Sequence, residues 1–524
     1  MENAIIRCLL DKLRDDPVLS NNQQKNVSAL IRIAGKFNIN ANIPEIRKIQ
    51  VSEKLLVLES GHQPNFLPYA GTWKKAFFLN YLQKKLMENG MEAIAFFGFP
   101  DQNLSTAKYL FRNQVPALNK KGVKPIGFKI NNSDRLKSFH TIEKPSADIW
   151  QHEMDNIEKF YSDISIKIPH KKNSSKKNLD QITEIMWNSY DLAKNFAEFN
   201  GYVFAKICYE ILNIDVLFFF YSDIHKEKIF IEESKKILQN VQLFNQIYNR
   251  VIIEKRLNIP PVNESHIPFW YHCECGGKIN LFFYENGSCR GTCPICKKGY
   301  HLFFDTDFKN FHEYYDKMDF NAVSRNIVMA ESLGDKVFLS GVGGSLQYGA
   351  IADQISQELK FHNPISLAWH SKDYYLGMTH AIALLELNKI FLLSSRGFFD
   401  STLNEMIRKH THIVSQNLSK ARRTNEDLDI INLFTGMINH AKNWPIITQN
   451  IFLNTNSFLD IFVNYGSGAI VDLWEYRLYN AEITNNRSPY IIKADINYNN
   501  DIIDDIKTEE LPRLYQKIRG LEVK

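Results

Sequence analysis

Along the first half of the chain, short unbroken apolar runs alternate with longer stretches in which apolar residues return every three or four positions. The runs "LLVLES" (55–60), "EAIAFFGF" (92–99) and "VKPIGFKI" (123–130) have the length and polar flanks of buried strands. Between the first two lies "KKAFFLNYLQKKLMENG" (74–90), which has the spacing of a helix. Strand, helix, strand in that order predicts a βαβ unit and a parallel sheet. "NIDVLFFFYSDI" (213–224) reads as a further buried strand that ends in polar residues. "DKVFLSGVGGSLQYGAIADQISQEL" (335–359) repeats the sequence of strand, glycine-rich loop and helix.

The same pattern divides the chain. Residues 1–50 read as a helical segment: Ile6, Leu9, Leu10 and Leu13 share one face, and Pro17 stops the first helix. The α/β core is expected over 51–267, with a polar, lysine-rich insertion at 131–182 that includes "HKKNSSKKN" and reads as solvated with some helix, or secondarily as a charged patch. A cysteine-rich module at 268–305 interrupts the core, which resumes over 306–370. The remainder, 371–524, reads as helical. The expected fold class is therefore α/β with an inserted metal module and a helical C-terminal region.

Composition narrows the classes without choosing one. At 524 residues the chain is long enough for about two to four domains. Its 63 basic and 58 acidic residues leave a net charge of +5, too small to predict nucleic-acid binding by itself. The most apolar run, "VLFFFY" (216–221), is far shorter than a membrane span, and the first residues lack the layout of a secretory signal. A cytoplasmic protein with no membrane partner is the expectation.

Five of the seven cysteines fall between 273 and 296, a metal-site distribution rather than a disulfide framework. Cys273-x-Cys275 and Cys293-x-x-Cys296 each stand at a tight turn with Gly or Pro beside them, and together they can surround one zinc ion. The intervening "KINLFFYENGSCRG" has the alternation and Asn-Gly turn of a hairpin, so the module reads as a zinc ribbon. Cys289, His272 and His301 are further candidate ligands. Four thiolates would close the coordination shell, which points to a structural zinc. RNA contact by the ribbon is an alternative that the sequence leaves open.

Two turns carry the candidate chemistry. After the first strand comes "GHQPNFLPYAGTWKK": Gly61 exposes backbone, His62 can donate to a phosphate oxygen, and Gln63 and Asn65 can orient a substrate through their amides. Lys74 and Lys75 follow within reach of a phosphate. The alternative is that His62 is only a satisfied turn histidine. The second turn holds Gly341, Gly343 and Gly344, without the spacing of a dinucleotide fingerprint or a P-loop. It reads either as a ligand loop or as a tight packing turn. "SRNIVMAESLGD" ahead of it contributes Arg325 and Asn326, and "FFGFPDQNLS" ends a strand with Asp101, Gln102 and Asn103.

Gly61-His62-Gln63 with Asn65 and Lys74 or Lys75, then Asp101-Gln102-Asn103, then Gly341-Val342-Gly343-Gly344 together resemble the BshC family of cysteine ligases in bacillithiol synthesis. The likeness spans roughly 51–360. It implies a Rossmann-like core akin to class I aminoacyl-tRNA synthetases, a helical C-terminal part that can pair two chains, and ATP- or ADP-linked joining of an amino acid to a small amine. "LPYAGTW" replaces that family's usual Gly-Pro-Leu-Tyr, its acidic and histidine cluster is reduced here to Asp101, and the ribbon is additional. "GHQPNFLPYAG" also resembles the opening of WbqC-like proteins, associated with acyl transfer to amino sugars. The expected function is a nucleotide-activated ligase. An RNA- or tRNA-binding ribbon protein and an inactive scaffold with a ligase-like core are the alternatives.

Overall fold

A computed structural model describes residues 4–13, 18–44, 49–284, 287–341, 344–370, 373–392, 457–483, 489–494 and 497–498, with a few positions between 412 and 454. The strands are β1 (Leu56–Gly61), β2 (Ala93–Phe99), β3 (Arg112–Pro116), β4 (Val123–Gly127), β5 (Leu217–Phe220), β6 (His266–His272), β7 (Lys278–Phe283), β8 (Ser288–Thr292), β9 (Gly299–Phe303), β10 (Met318–Phe320), β11 (Val337–Ser340), β12 (Ile365–His370), β13 (Tyr374–Tyr375), β14 (Glu482–Ile483), β15 (Tyr490–Lys493) and β16 (Asn497–Tyr498). Three helices position the site from the start of the chain: α1 (Ala4–Leu13), α2 (Asn21–Asn40) and α3 (Ala70–Glu88).

A seven-stranded sheet, in the order β14-β15-β12-β11-β1-β2-β5, forms the centre. Every neighbouring pair is parallel except β14 with β15. Numbered by their order in the chain, its parallel strands lie 3-2-1-4-5-6, so the direction of winding reverses between β1 and β11. Alternating side chains fill two layers. Leu56, Leu58, Phe97 and Leu339 face a core shared with α3 and the Phe458–Tyr479 helix. Val57, Ile94, Phe96 and Phe219 face a second core shared with α2 and the Ala322–Leu333 helix. Helix α2 starts where Ser20 and Gln23 exchange capping bonds, and it buries Val27, Leu30, Ile33, Ala34 and Phe37 at helical spacing.

The first two predicted strands and the helix between them form as a βαβ unit, with Leu56 opposite Ala93 and Gly61 opposite Gly98. Three expectations need correction. "VKPIG" does not join the main sheet; it pairs with Arg112–Pro116 in a separate two-stranded ladder. The lysine-rich stretch is helical in part, as expected, but one face of it is buried rather than solvated. It contributes helices Ala147–Ser165 and Lys172–Leu192, whose buried Trp150, Met154, Ile157, Leu179 and Ile182 belong to the first core, while Lys172, Lys176 and Lys177 stay exposed. The C-terminal region is not purely helical, because β14 and β15 complete one edge of the main sheet. Both are too short to show a period of their own.

The cysteine-rich segment lies within a five-stranded antiparallel sheet in the order β10-β6-β7-β8-β9, running from His266 to Phe320. Ser138 N–H donates to Gly276 O at 2.8 Å, and Lys278 Nζ donates to Gln102 O at 2.6 Å, which tie this sheet to the end of β2. No helix among the described residues is long and apolar enough to cross a membrane.

Candidate functional site

Where winding reverses in a parallel sheet, adjacent loops leave in opposite directions and open a crevice at the strands' carboxyl ends. A cavity of about 430 Å³ occupies that place here. Gly61, His62 and Gln63 line it from the end of β1, and Pro100, Asn103 and Thr106 from beyond β2. Tyr221 lines it from beyond β5, Phe338 from β11, and Arg325 and Asn326 from the Ala322–Leu333 helix. Trp270 and Lys278 come from the ribbon sheet and Tyr348 from the turn after β11.

The loop from His62 to Tyr69 is held by side chains from distant parts of the chain. Asn200 Nδ2 donates to Pro64 O at 2.7 Å and to Leu110 O at 2.8 Å. Asn113 Nδ2 and Ser457 Oγ both donate to Leu67 O, at 2.7 and 2.8 Å, and Trp73 Nε1 donates to Pro68 O at 3.0 Å. A loop whose carbonyls are satisfied in this way presents His62 and Gln63 in one arrangement. At its root the backbones of β1 and β2 touch: a Cβ on Gly61 would lie 2.7 Å from Gly98 O, and one on Gly98 would lie 2.4 Å from the Tyr221 ring.

His62 Nδ1 lies 2.9 Å from Gln63 O, a carbonyl that can only accept, so Nδ1 carries the hydrogen. Nε2 keeps its lone pair, 3.5 Å from Thr72 Oγ1. Burial, with Lys75 and Arg325 nearby, pushes the imidazole down to about 3, and His62 is neutral at ordinary pH. The expected role of donor to a phosphate oxygen is therefore corrected: the free nitrogen accepts.

Arg325 is the cation of the cleft. Its guanidinium sits 5.2 Å from the centre of the Tyr221 ring, and among the described residues it forms no ion pair. Below it, Tyr221 Oη donates to Glu59 Oε1 at 2.9 Å. Glu59 is fully enclosed in β1, and burial raises its carboxyl to about 7 against the opposing pull of Tyr221 and Arg325. Asp335 is buried nearby, both its carboxylate oxygens without a hydrogen bond among the described residues, and burial together with Glu59 pushes its carboxyl well above the usual carboxylate range. Lys278 is committed elsewhere, to Asp319 and Gln102 O, with its ammonium 5.1 Å from the centre of the Trp270 ring.

Of the remaining candidates, Asn103 and Asn326 line the cavity, whereas Lys74, Asp101, Gln102 and Asn65 do not, and Lys75 stands beside it. Lys74 turns to the opposite side, where it pairs with Asp373 and stands 4.7 Å over the Trp369 ring. Its neighbour Lys75 holds the place beside the cleft: Nζ donates to Gly61 O at 3.3 Å, and burial with the Arg325 charge lowers it to about 8. Asp101 is buried and accepts from Ser222 N–H at 3.0 Å, which makes it a structural support of β5's exit. Asn65 faces a closed packing space beside Phe66, Trp73 and Phe204, its Oδ1 without a partner. Helix α3 begins at Ala70 rather than at the lysines, and its packing against the sheet turns Lys74 and Lys75 to different sides.

The second turn also differs from its tight-packing reading. A Cβ on Gly341 would come no closer than 3.6 Å to Lys75 Cε, and one on Gly344 no closer than 3.7 Å to Ser340 Oγ. Those are ordinary contacts, so packing does not demand glycine at either place. Gly341 thus lies beside Lys75 at the reversal point, with Gly344 at the start of the following helical turn; Gly343 lies outside the described residues.

In the ribbon, the sulfur atoms of Cys273, Cys275, Cys293 and Cys296 all lie within 4.8 Å of one another. Cys273 to Cys296 and Cys275 to Cys293 are each 3.5 Å. Thiolates about 2.3 Å from a tetrahedral ion would stand slightly farther apart than that, so the four could hold a metal such as zinc with little movement. Two tight turns shape the nest: Cys273 N–H donates to Gly277 O, and Cys293 N–H to Lys298 O, both at 2.9 Å. A Cβ on Gly277 would stand 2.7 Å from Cys293 Sγ. Cys289 is buried in the second core, and neither it nor His272 or His301 joins the sulfur cluster. His272 Nε2 instead lies 3.4 Å from Gln102 Nε2 and 3.9 Å from Asp319 Oδ2.

Comparison with protein-family models and with curated proteins finds no match. Function therefore has to be read from the geometry. The sequence reading missed Glu59, Tyr221, Trp270 and Lys278. Glu59 had a signal, a lone carboxylate inside the apolar run "LLVLES", because burying an acid is costly enough to need a reason. Trp270 and Lys278 had none, since only the docking of the ribbon sheet brings them to β1.

Proposed function

We propose that the protein is a nucleotide-activated ligase with a Rossmann-like core, which joins a carboxylate substrate to a small amine as the BshC resemblance implies. The observation that carries this reading is the Arg325 guanidinium, which has no ion pair among the described residues, in the same crevice as Gly61, His62 and Gln63, at the point where the winding reverses. Such crevices bind nucleotides in doubly wound sheets, and a planar guanidinium with free N–H groups suits phosphate or carboxylate.

In the reaction, a carboxylate oxygen of the substrate attacks a phosphorus of ATP. A mixed anhydride forms, and pyrophosphate or ADP leaves with the bond electrons. The amine nitrogen then attacks the anhydride carbonyl and loses a proton, and phosphate or AMP departs with the electrons of the broken carbon–oxygen bond. Arg325 and Lys75 offset the charge that gathers on the phosphoryl oxygens. Gln63, Asn103 and Asn326 orient polar groups of the substrates. His62 offers the Nε2 lone pair to the proton lost by the amine, and the charge of a bound phosphate would raise its otherwise low basicity. The four cysteines would hold zinc as a structural ion that sets the ribbon wall of the cleft.

A melting-temperature series with ATP, ADP and AMP tests the reading. A nucleotide present at about 100 times its dissociation constant should stabilise the fold by about 2.7 kcal/mol. Absence of any rise with all three nucleotides, with and without magnesium, would leave a scaffold without nucleotide chemistry.

A further inference from the structure

The guanidinium of Arg325 has to be held open for a ligand, although Glu59 lies beneath it and could attract it inward. Tyr221 separates the two. Its hydroxyl is taken by Glu59 at 2.9 Å, and its ring packs on the bare backbone of Gly98 and beside Phe219 at 5.1 Å between ring centres. Arg325 lies on that ring at 5.2 Å. Gly98 and Phe219 pack against the ring on one side, and the buried carboxyl holds its far end by a hydrogen bond. A guanidinium held over an aromatic face by cation–π attraction still has its N–H groups to offer to other partners. None of those groups is bonded to another described residue, and the cavity is where such a fork finds room.

We propose that Arg325 is the seat for the anionic group of the substrate, a carboxylate or a phosphoryl group, and that Glu59 and Tyr221 are positioning residues which fix its guanidinium toward the cleft. Glu59 acts through Tyr221 and touches no substrate. The groups that face it are Tyr221 from the end of β5, Arg325 from the Ala322–Leu333 helix and Asp335 from the start of β11. This rests on the cleft being a ligand site, and not on the ligase chemistry.

The test is a titration of the full-length protein with sodium sulfate and, separately, sodium acetate, read as the rise in melting temperature over sodium chloride at equal ionic strength. Sulfate stands for a phosphoryl group and acetate for a carboxylate, and neither changes charge between pH 6 and 8. One anion or both should stabilise the native protein, the stronger response assigning the class, and Arg325→Gln should abolish it. Tyr221→Phe keeps the ring but loses the anchor, and should weaken anion binding roughly 3- to 10-fold, the worth of about one hydrogen bond. Glu59→Ala should do the same, whereas Glu59→Gln, which still offers an oxygen to the tyrosine, should restore native affinity. Melting temperatures without anion separate loss of fold from loss of the seat. An unchanged anion response in Arg325→Gln overturns the proposal. Native affinity in both Tyr221→Phe and Glu59→Ala overturns the positioning role, even where ATP still stabilises the protein. Conversely, an Arg325-dependent sulfate response with no nucleotide response would sink the ligase reading and leave this one standing.

Discussion

Glu59 and His62 sit three residues apart and are displaced in opposite ways by the same burial. Glu59 is raised from 4.5 to about 7, so between those values the folded chain keeps a proton that the unfolded chain has lost. Its contribution is present at low pH and falls away as pH rises through about 7. His62 is lowered from 6.5 to about 3, so below about 6.5 the unfolded chain takes up a proton that the fold refuses, and stability drops as pH falls. Glu59→Gln removes the first effect alone. Urea unfolding should find the variant more stable than the native protein at pH 8, by on the order of 1–3 kcal/mol, with the gap closing by pH 5; a constant gap would mean that Glu59 does not titrate there. Gly98→Ala should act at the same place by force. Its new methyl would stand 2.4 Å from the Tyr221 ring and must displace it, so both stability and any Arg325-dependent anion response should fall.

Among the elements, the ribbon is the one whose chemistry was most legible. Its four ligands stand in two short sequence-local pairs, so spacing alone brings each pair together, and one hairpin brings the pairs together. That neither Cys289 nor a histidine joins them was not legible, because Cys289 and the four clustered cysteines differ only in the direction their strands and turns face. Metal analysis should find one equivalent of zinc per chain in the native protein and in Cys289→Ser, and a loss of it in Cys293→Ser; zinc loss in Cys289→Ser would reassign the ligands. Helix α3 teaches the reverse lesson. Its apolar pattern was plain, but the rotation of the packed helix was not, and that rotation places Lys75 rather than Lys74 beside Gly61. Adjacent helical positions lie about 100° apart around the axis, so neighbours cannot serve the same side.

Across the whole molecule, the cleft is a joint product of the central sheet and the ribbon sheet. Trp270 and Lys278 belong to strands that flank the first cysteine pair, and Lys278 follows Cys275 by three residues. The ribbon is clasped to β2's exit through Lys278, Gln102 and Asp319. Removing the metal should therefore do more than loosen a surface module. Chelation of the intact protein should lower its melting temperature and weaken sulfate, acetate or nucleotide binding, and added zinc should restore both. Unchanged ligand binding in metal-free protein would show that the two sheets hold the cleft without it.

What the sequence determined by itself was local: the β1, β2, β5 and β11 runs, the βαβ unit, and the paired cysteines, each encoded by residues close together in the chain. Burial periodicity and ligand spacing act over a turn or a hairpin, and they survive without knowledge of the rest. Tertiary structure alone decided which of several polar residues meet. The strand order brings Gly61 beside Gly341, the docking of the ribbon brings Trp270 over the crevice, and the length of β14 and β15 is too small to signal their place at the sheet's edge. Those outcomes depend on contacts between positions hundreds of residues apart, where packing, not pattern, selects the partner.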